Sequence, residues 1–79
     1  MKLNRGVWLN ARKYKPSDIE DYKDGEFLSI RVIYPRKREY DIVTGWYDVN
    51  KGKFIIPEKY LNHRYYNIKD FCVLPKLKW

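Results

Sequence analysis

Seventy-nine residues rich in large side chains (eight Tyr, three Trp and three Phe) make one small domain, 1–79. A chain this short buries only about 60% of its unfolded surface, so its aromatics must fill the core. That leaves little room for a deep enclosed active site and favours a surface groove, an edge or a subunit interface.

The net charge is +7, from 17 Lys and Arg against 10 Asp and Glu. It is unevenly spread. Residues 17–26 hold five acids (Asp18, Glu20, Asp21, Asp24, Glu26) and one base, Lys23, a local −4. The remainder stands at +11, sixteen bases against five acids. This polarity favours an anionic partner: an acidic protein, a nucleotide or nucleic acid. The single cysteine, Cys72, allows no internal disulfide and suits a reducing cytoplasm. Set in an apolar run, it reads as a small buried hydrophobe. "MKLNRGVWLN" has no signal-peptide apolar region, and no segment approaches the ~18 apolar residues of a membrane span. A soluble intracellular protein is expected.

In chain order, "GVWLNA" (6–11) is a short β candidate. Pro16 and Ser17 then open "PSDIEDYK", where Ser17 and Glu20 have capping-box spacing, so one or two helical turns are expected before Asp24-Gly25. "EFLSIRVIY" (26–34) is the clearest strand: Leu28, Ile30, Val32 and Tyr34 share one face. Phe27, Ser29, Arg31 and Ile33 share a mixed, partly exposed one. Pro35 closes it. "YDIVTGWYDV" (40–49) is the next strand, and its Gly45 signals a bulge or a close backbone approach. Asn50-Lys51-Gly52 predicts a tight hairpin with Gly52 at positive φ. Residues 57–67 are ambiguous between a helical turn and an aromatic loop. "IKDFCVLP" (68–75) is the last strand, before the basic tail "KLKW". The fold class is mainly β or small α+β: an antiparallel meander of four to five strands with one short helix.

His63 and Cys72 are single, and no CxxC or HxxxH spacing is present, so no metal, cofactor or catalytic residue is assigned and a non-enzyme is expected. What remains is aromatic residues interleaved with basic ones. "YPRKREY" (34–40) sets Arg36, Lys37 and Arg38 between Tyr34 and Tyr40, at the tip of a strand–turn–strand connection. Cationic rails beside stacking rings can hold nucleotides or single strands. The candidate binding residues are Arg31, Arg36, Lys37, Arg38 and Arg64 for charge, with Tyr40, Tyr65 and Tyr66 as stacking surfaces.

"WLNARKYKP" (8–16) resembles the W-[IL]-x-x-x-x-x-x-P opening of phage and prophage proteins in domain-of-unknown-function family 551. "GWYD" (45–48) with the following Phe54 is similar to that family's glycine-aromatic strand. "IKDFCVLP" is similar to its V-T-H-W-x-P-L-P close, with Asp70, Phe71 and Val73 in place of the usual His, Trp and first Pro. The resemblance implies a small β-rich phage accessory protein with no assigned catalytic activity, acting in the cytoplasm of an infected bacterium. The expected function is inhibition of a bacterial defence system, by occluding a defence protein or sequestering an anionic nucleotide signal, with a homo-oligomer as one possible arrangement. The alternative is a nucleic-acid-binding or anti-restriction factor.

Overall fold

Alternate residues of Phe27–Tyr34 point to opposite sides of the chain, and the apolar set Leu28, Ile30, Val32 and Tyr34 is wholly or almost wholly buried. This strand is the middle of a five-stranded sheet in the computed structural model, which describes residues 3–75. The strands are β1 (Trp8–Asn10), β2 (Phe27–Tyr34), β3 (Glu39–Asp48), β4 (Lys53–Ile55) and β5 (Asn67–Val73). Their order across the sheet is β1-β5-β2-β3-β4, antiparallel at every pairing. The mainly β, antiparallel fold class is therefore as expected. β2, β3 and β4 form the meander, while β5 returns across the molecule to lie between β1 and β2. The basic tail 76–79 lies outside the described residues.

One side of the sheet is the core. Val43 and Tyr47 of β3 and Phe71 and Val73 of β5 join the apolar set of β2. Two irregular connections, residues 11–26 and 56–66, close over this side. Their Ile19, Tyr22, Ile56, Leu61 and Tyr66 pack against it. Phe54 bridges Tyr47 and Phe71 with ring centroids 5.1 and 5.5 Å apart. Buried hydroxyls fasten the connections to the sheet, because unpaired polar groups there are costly. Tyr34 Oη accepts the Asn62 N–H at 3.1 Å, and Tyr22 Oη accepts the Tyr47 N–H at 3.0 Å.

The expected helix is reduced to a single 3₁₀ turn, Pro16–Asp18. The Ser17–Glu20 capping box does not form. Instead the Asp18 carboxylate accepts the Lys15 N–H at 2.9 Å, two residues earlier. Ile19 is already extended (ψ 135) and Asp21 is left-handed (φ 63), so no second turn can follow. With Ile19 buried between exposed acids, the segment has no apolar stripe to dock a longer helix. Arg5 restrains this loop: its guanidinium pairs with Glu26 and donates to the carbonyls of Asp21 (2.7 Å) and Leu74 (3.1 Å). The Glu26 hydrogen bond holds the Arg5 pKa above its ordinary value. Residues 57–66 resolve as a mostly irregular connection with one 3₁₀ turn, Glu58–Tyr60, and Asn67 already opens β5. At Gly45 the register with β2 runs on without a bulge, and close backbone approach is the operative constraint.

Candidate functional site: the open sheet face and its basic hairpin tip

Among the described residues the second side of the sheet has no such cover. Phe27, Ser29, Arg31 and Ile33 of β2 alternate with the core set, and Tyr40, Ile42, Thr44 and Trp46 do the same on β3. Tyr40 is 70% exposed, Phe27 60% and Ile42 52%. Arg31 lies at the centre of this face. The Trp8 ring of β1 stacks on its guanidinium at 4.7 Å, and Asp70 of β5 pairs with it at 3.2 Å. Arg31 Nε and Asp70 Oδ1 are buried without a hydrogen-bond partner. The pairing of β5 with β2 slips by one residue here: Asp70 opposes Arg31 and Ile68 opposes Val32. Lys69 is the extra residue, and such a bulge re-aims its side chain. It lines an open groove of about 480 Å³ with Arg31, Ile33, Arg38, Tyr40 and Ile42. Glu39 also contributes to this groove.

The β2–β3 connection forms the groove's end. Lys37 N–H donates to Tyr34 O at 3.0 Å, closing a turn with Pro35 at the position that its fixed φ suits. Arg38 then takes a left-handed conformation (φ 53), where Gly or Asn would be less strained. Arg36 stacks on Tyr65 at 4.1 Å, joining the tip to the 56–66 connection. His63 stacks edge-on against Tyr34 at 4.8 Å and lies 3.5 Å from a Glu39 oxygen. A second depression of about 520 Å³, in the 56–66 connection, is lined by Ile56, Leu61, His63, Arg64 and Tyr66 among others.

The eight sequence-derived residues thus do not share one pocket. Arg31, Arg38 and Tyr40 meet in the open-face groove, while Arg64 and Tyr66 line the depression beyond the tip. Arg36, Lys37 and Tyr65 line neither, and the Arg36–Tyr65 stack joins the hairpin tip to the 56–66 connection. Tyr66 is half-buried against the core, so it is a wall and not a free stacking surface. Sequence reasoning missed Trp8, Ile42 and Lys69. Ile42 was legible from the alternation that places Tyr40 opposite Ile33 and Ile42 opposite Arg31. Lys69 was not, because only the β5 bulge brings it to this side.

Cys72 and His63 offer no nucleophile–base pair. Cys72 is buried beside Ser29, at the other end of β2 from Tyr34, which His63 contacts. Burial pushes the Cys72 thiol up, and burial, foremost, also raises Tyr22. Both groups are neutral when protonated. Their contribution to stability is therefore full below their unfolded pKa values, about 8.5 and 10, and is lost as pH rises through the higher folded values. The urea midpoint should fall above about pH 9, and Cys72→Ala should move that onset upward toward the tyrosine range. An unchanged onset would show that the thiol makes no part of the alkaline loss.

Among the described residues no three His, Cys, Asp or Glu side chains gather as a metal site, and no helix is long and apolar enough to cross a membrane. No family model, curated protein or solved structure matches the chain.

Proposed function

We propose that this chain is a non-enzymatic binding protein that takes an anionic partner on its open sheet face and basic hairpin tip. The observation that carries the reading is the groove where Arg31, Arg38 and Lys69 surround the apolar surface of Tyr40, Ile33 and Ile42. Cations beside an exposed ring are suited to a phosphate attached to a base. The strained Arg38 supports the same reading, since a charged residue occupies a position that would cost less with glycine. The likeness of "WLNARKYKP" and "GWYD" to phage accessory proteins supports a setting in the cytoplasm of an infected bacterium. There the protein would inhibit a defence system by sequestering a nucleotide signal or occluding an acidic defence protein.

The test is thermal stabilisation by linear and cyclic oligonucleotides, on the wild type and on the triple variant Arg36→Gln, Lys37→Gln, Arg38→Gln. A ligand at a hundred times its Kd adds about 2.7 kcal/mol to stability. The wild type should gain several degrees and the variant little, with unchanged circular dichroism. Arg38→Gly should separate the two roles: stability rises by up to about 1 kcal/mol while binding weakens. If no nucleotide shifts the wild type, sequestration fails and occlusion of an acidic protein is left.

The exposed Trp8, Phe27 and Tyr40 favour a second reading, single-stranded nucleic acid laid across the sheet. It requires affinity that falls steeply with salt, as condensed counterions are released. A flat salt dependence would dismiss it.

A further inference from the structure

The outer edge of β3 is only half used. β4 pairs with Trp46, Tyr47 and Asp48 alone, so among the described residues Glu39–Gly45 has no strand neighbour on that side. In an antiparallel ladder the backbone groups of successive residues alternate between the two edges. The Lys37-to-Tyr34 turn closes on the Tyr34–Glu39 pair, so Asp41 and Val43 point to β2, and Tyr40, Ile42 and Thr44 point outward. The Ile42 N–H shows this directly: it donates not to β2 but to the Asp41 carboxylate, at 2.9 Å. The 61–63 segment does not block the edge from the open-face side. It is held by Asn62 to Asp41 (3.1 Å) and by His63 to Glu39 (3.5 Å), both of which share the core-facing parity of Val43.

Natural edges are usually guarded by lysine, proline, a bulge or a covering element. The stretch 39–45, "EYDIVTG", has neither lysine nor proline, and its register with β2 is unbroken. Its sequence is also self-complementary. We propose that this edge pairs antiparallel with the same edge of a second copy, across a two-fold axis at Ile42.

In that register Ile42 faces Ile42 of the second copy and Tyr40 faces its Thr44. Asp41 faces Val43 and no like charges are opposed, and the pairing is confined to residues 40–44 because Ile55 and Ile56 already approach Gly45. The outward groups of Tyr40, Ile42 and Thr44 supply six new ladder hydrogen bonds per dimer. Ile42 N–H leaves Asp41, whose other carboxylate oxygen keeps the Asn62 amide. The interface is isologous, and the closed pair leaves no growing edge at β3. It forms one ten-stranded sheet and sets the two open-face grooves side by side about the axis.

Each copy carries +7, so association is opposed by long-range repulsion that salt screens. Dimerisation should therefore strengthen with salt, opposite to the binding of an anion, and it does not depend on the function proposed above. The test is sedimentation equilibrium of the full chain at low and high salt. A monomer–dimer equilibrium is expected, with more dimer at high salt. Ile42→Pro removes an outward N–H bonded only to the Asp41 carboxylate and an exposed side chain, a change that an edge strand tolerates, so it should keep the wild-type circular dichroism. It should also weaken association more than about tenfold. Ile42→Lys and Ile42→Glu should each be monomeric, and their equimolar mixture should form a heterodimer. A wild type that stays monomeric at millimolar concentration overturns the proposal. So does a dimer that survives in folded Ile42→Pro, or a Lys–Glu mixture that does not associate. Should Ile42→Pro fail to fold, the charge-swap pair decides.

Discussion

Phe71→Ala should cost about 3–5 kcal/mol, the usual loss for deleting a buried aromatic ring. A domain of this length has roughly 4–12 kcal/mol in all, so the variant should lose a quarter or more of its total stability and unfold at a clearly lower urea concentration. Phe71 is wholly buried, sits opposite Leu9 on one side and Ile30 on the other, and meets Phe54 across the core. Its strand matters as much as its ring. Among the described strands β1 pairs with β5 alone, so loosening β5 also frees β1 and Trp8, and with Trp8 the stacking that steadies Arg31. Urea titration followed by circular dichroism measures the loss. Phe71→Leu, which keeps most of the volume, should cost less, under about 1.5 kcal/mol. If Phe71→Ala cost no more than Phe71→Leu, the core would not be centred on this residue.

The strands were legible because they rest on a local pattern. Alternation in "EFLSIRVIY" set the buried face of β2 correctly at every residue, and Pro35 and Gly52 marked both hairpins. The acidic segment misled because Ser17 and Glu20 have the right spacing for a cap but nothing beyond them drives a helix. Its shape is set from far along the chain, by Arg5, by Leu74 and by the Tyr22–Tyr47 contact. The place of β5 between β1 and β2 is likewise a long-range choice. No window of ten residues carries it.

The candidate site shows the same division. The basic tip and Tyr40 could be read from "YPRKREY", and the mixed face of β2 pointed to Arg31. What the residues alone did not reveal is that the 56–66 connection runs under the core side of β3. That path separates Arg64 and Tyr66 from Arg31 and Tyr40, and the Arg36–Tyr65 stack joins the hairpin tip to it. Lys69 depends on a one-residue slip in pairing, which alternation cannot foresee.

Gly45→Ala should cost about 1–3 kcal/mol, and Gly45→Val more, by forcing volume into a filled space. Gly45 is not among the residues with positive φ, so its requirement is room and not backbone freedom. An added Cβ would stand 2.5 Å from Ile55 O, 2.9 Å from Ile30 Cδ1 and 3.3 Å from Ile56 Cγ1. The Ile30 methyl can turn aside. The Ile55 carbonyl cannot, because it belongs to β4 where that strand pairs with Trp46, two residues before Pro57. The strain should therefore fall on β4 and on the start of the connection that covers the core. Two companions separate this mechanism from a general intolerance of substitution. Ile30→Val removes the yielding neighbour, so the double variant Ile30→Val, Gly45→Ala should cost less than the sum of the singles, yet stay below wild type. Gly52→Ala meets nothing nearer than Tyr47 Oη at 3.8 Å, and its loss, about 1 kcal/mol, should come from its positive φ alone and show no coupling to Ile30. Strict additivity of Ile30→Val with Gly45→Ala would place the whole strain on the Ile55 carbonyl, whereas a Gly45→Ala variant as stable as wild type would mean that the close approach at Gly45 does not set the position of β4.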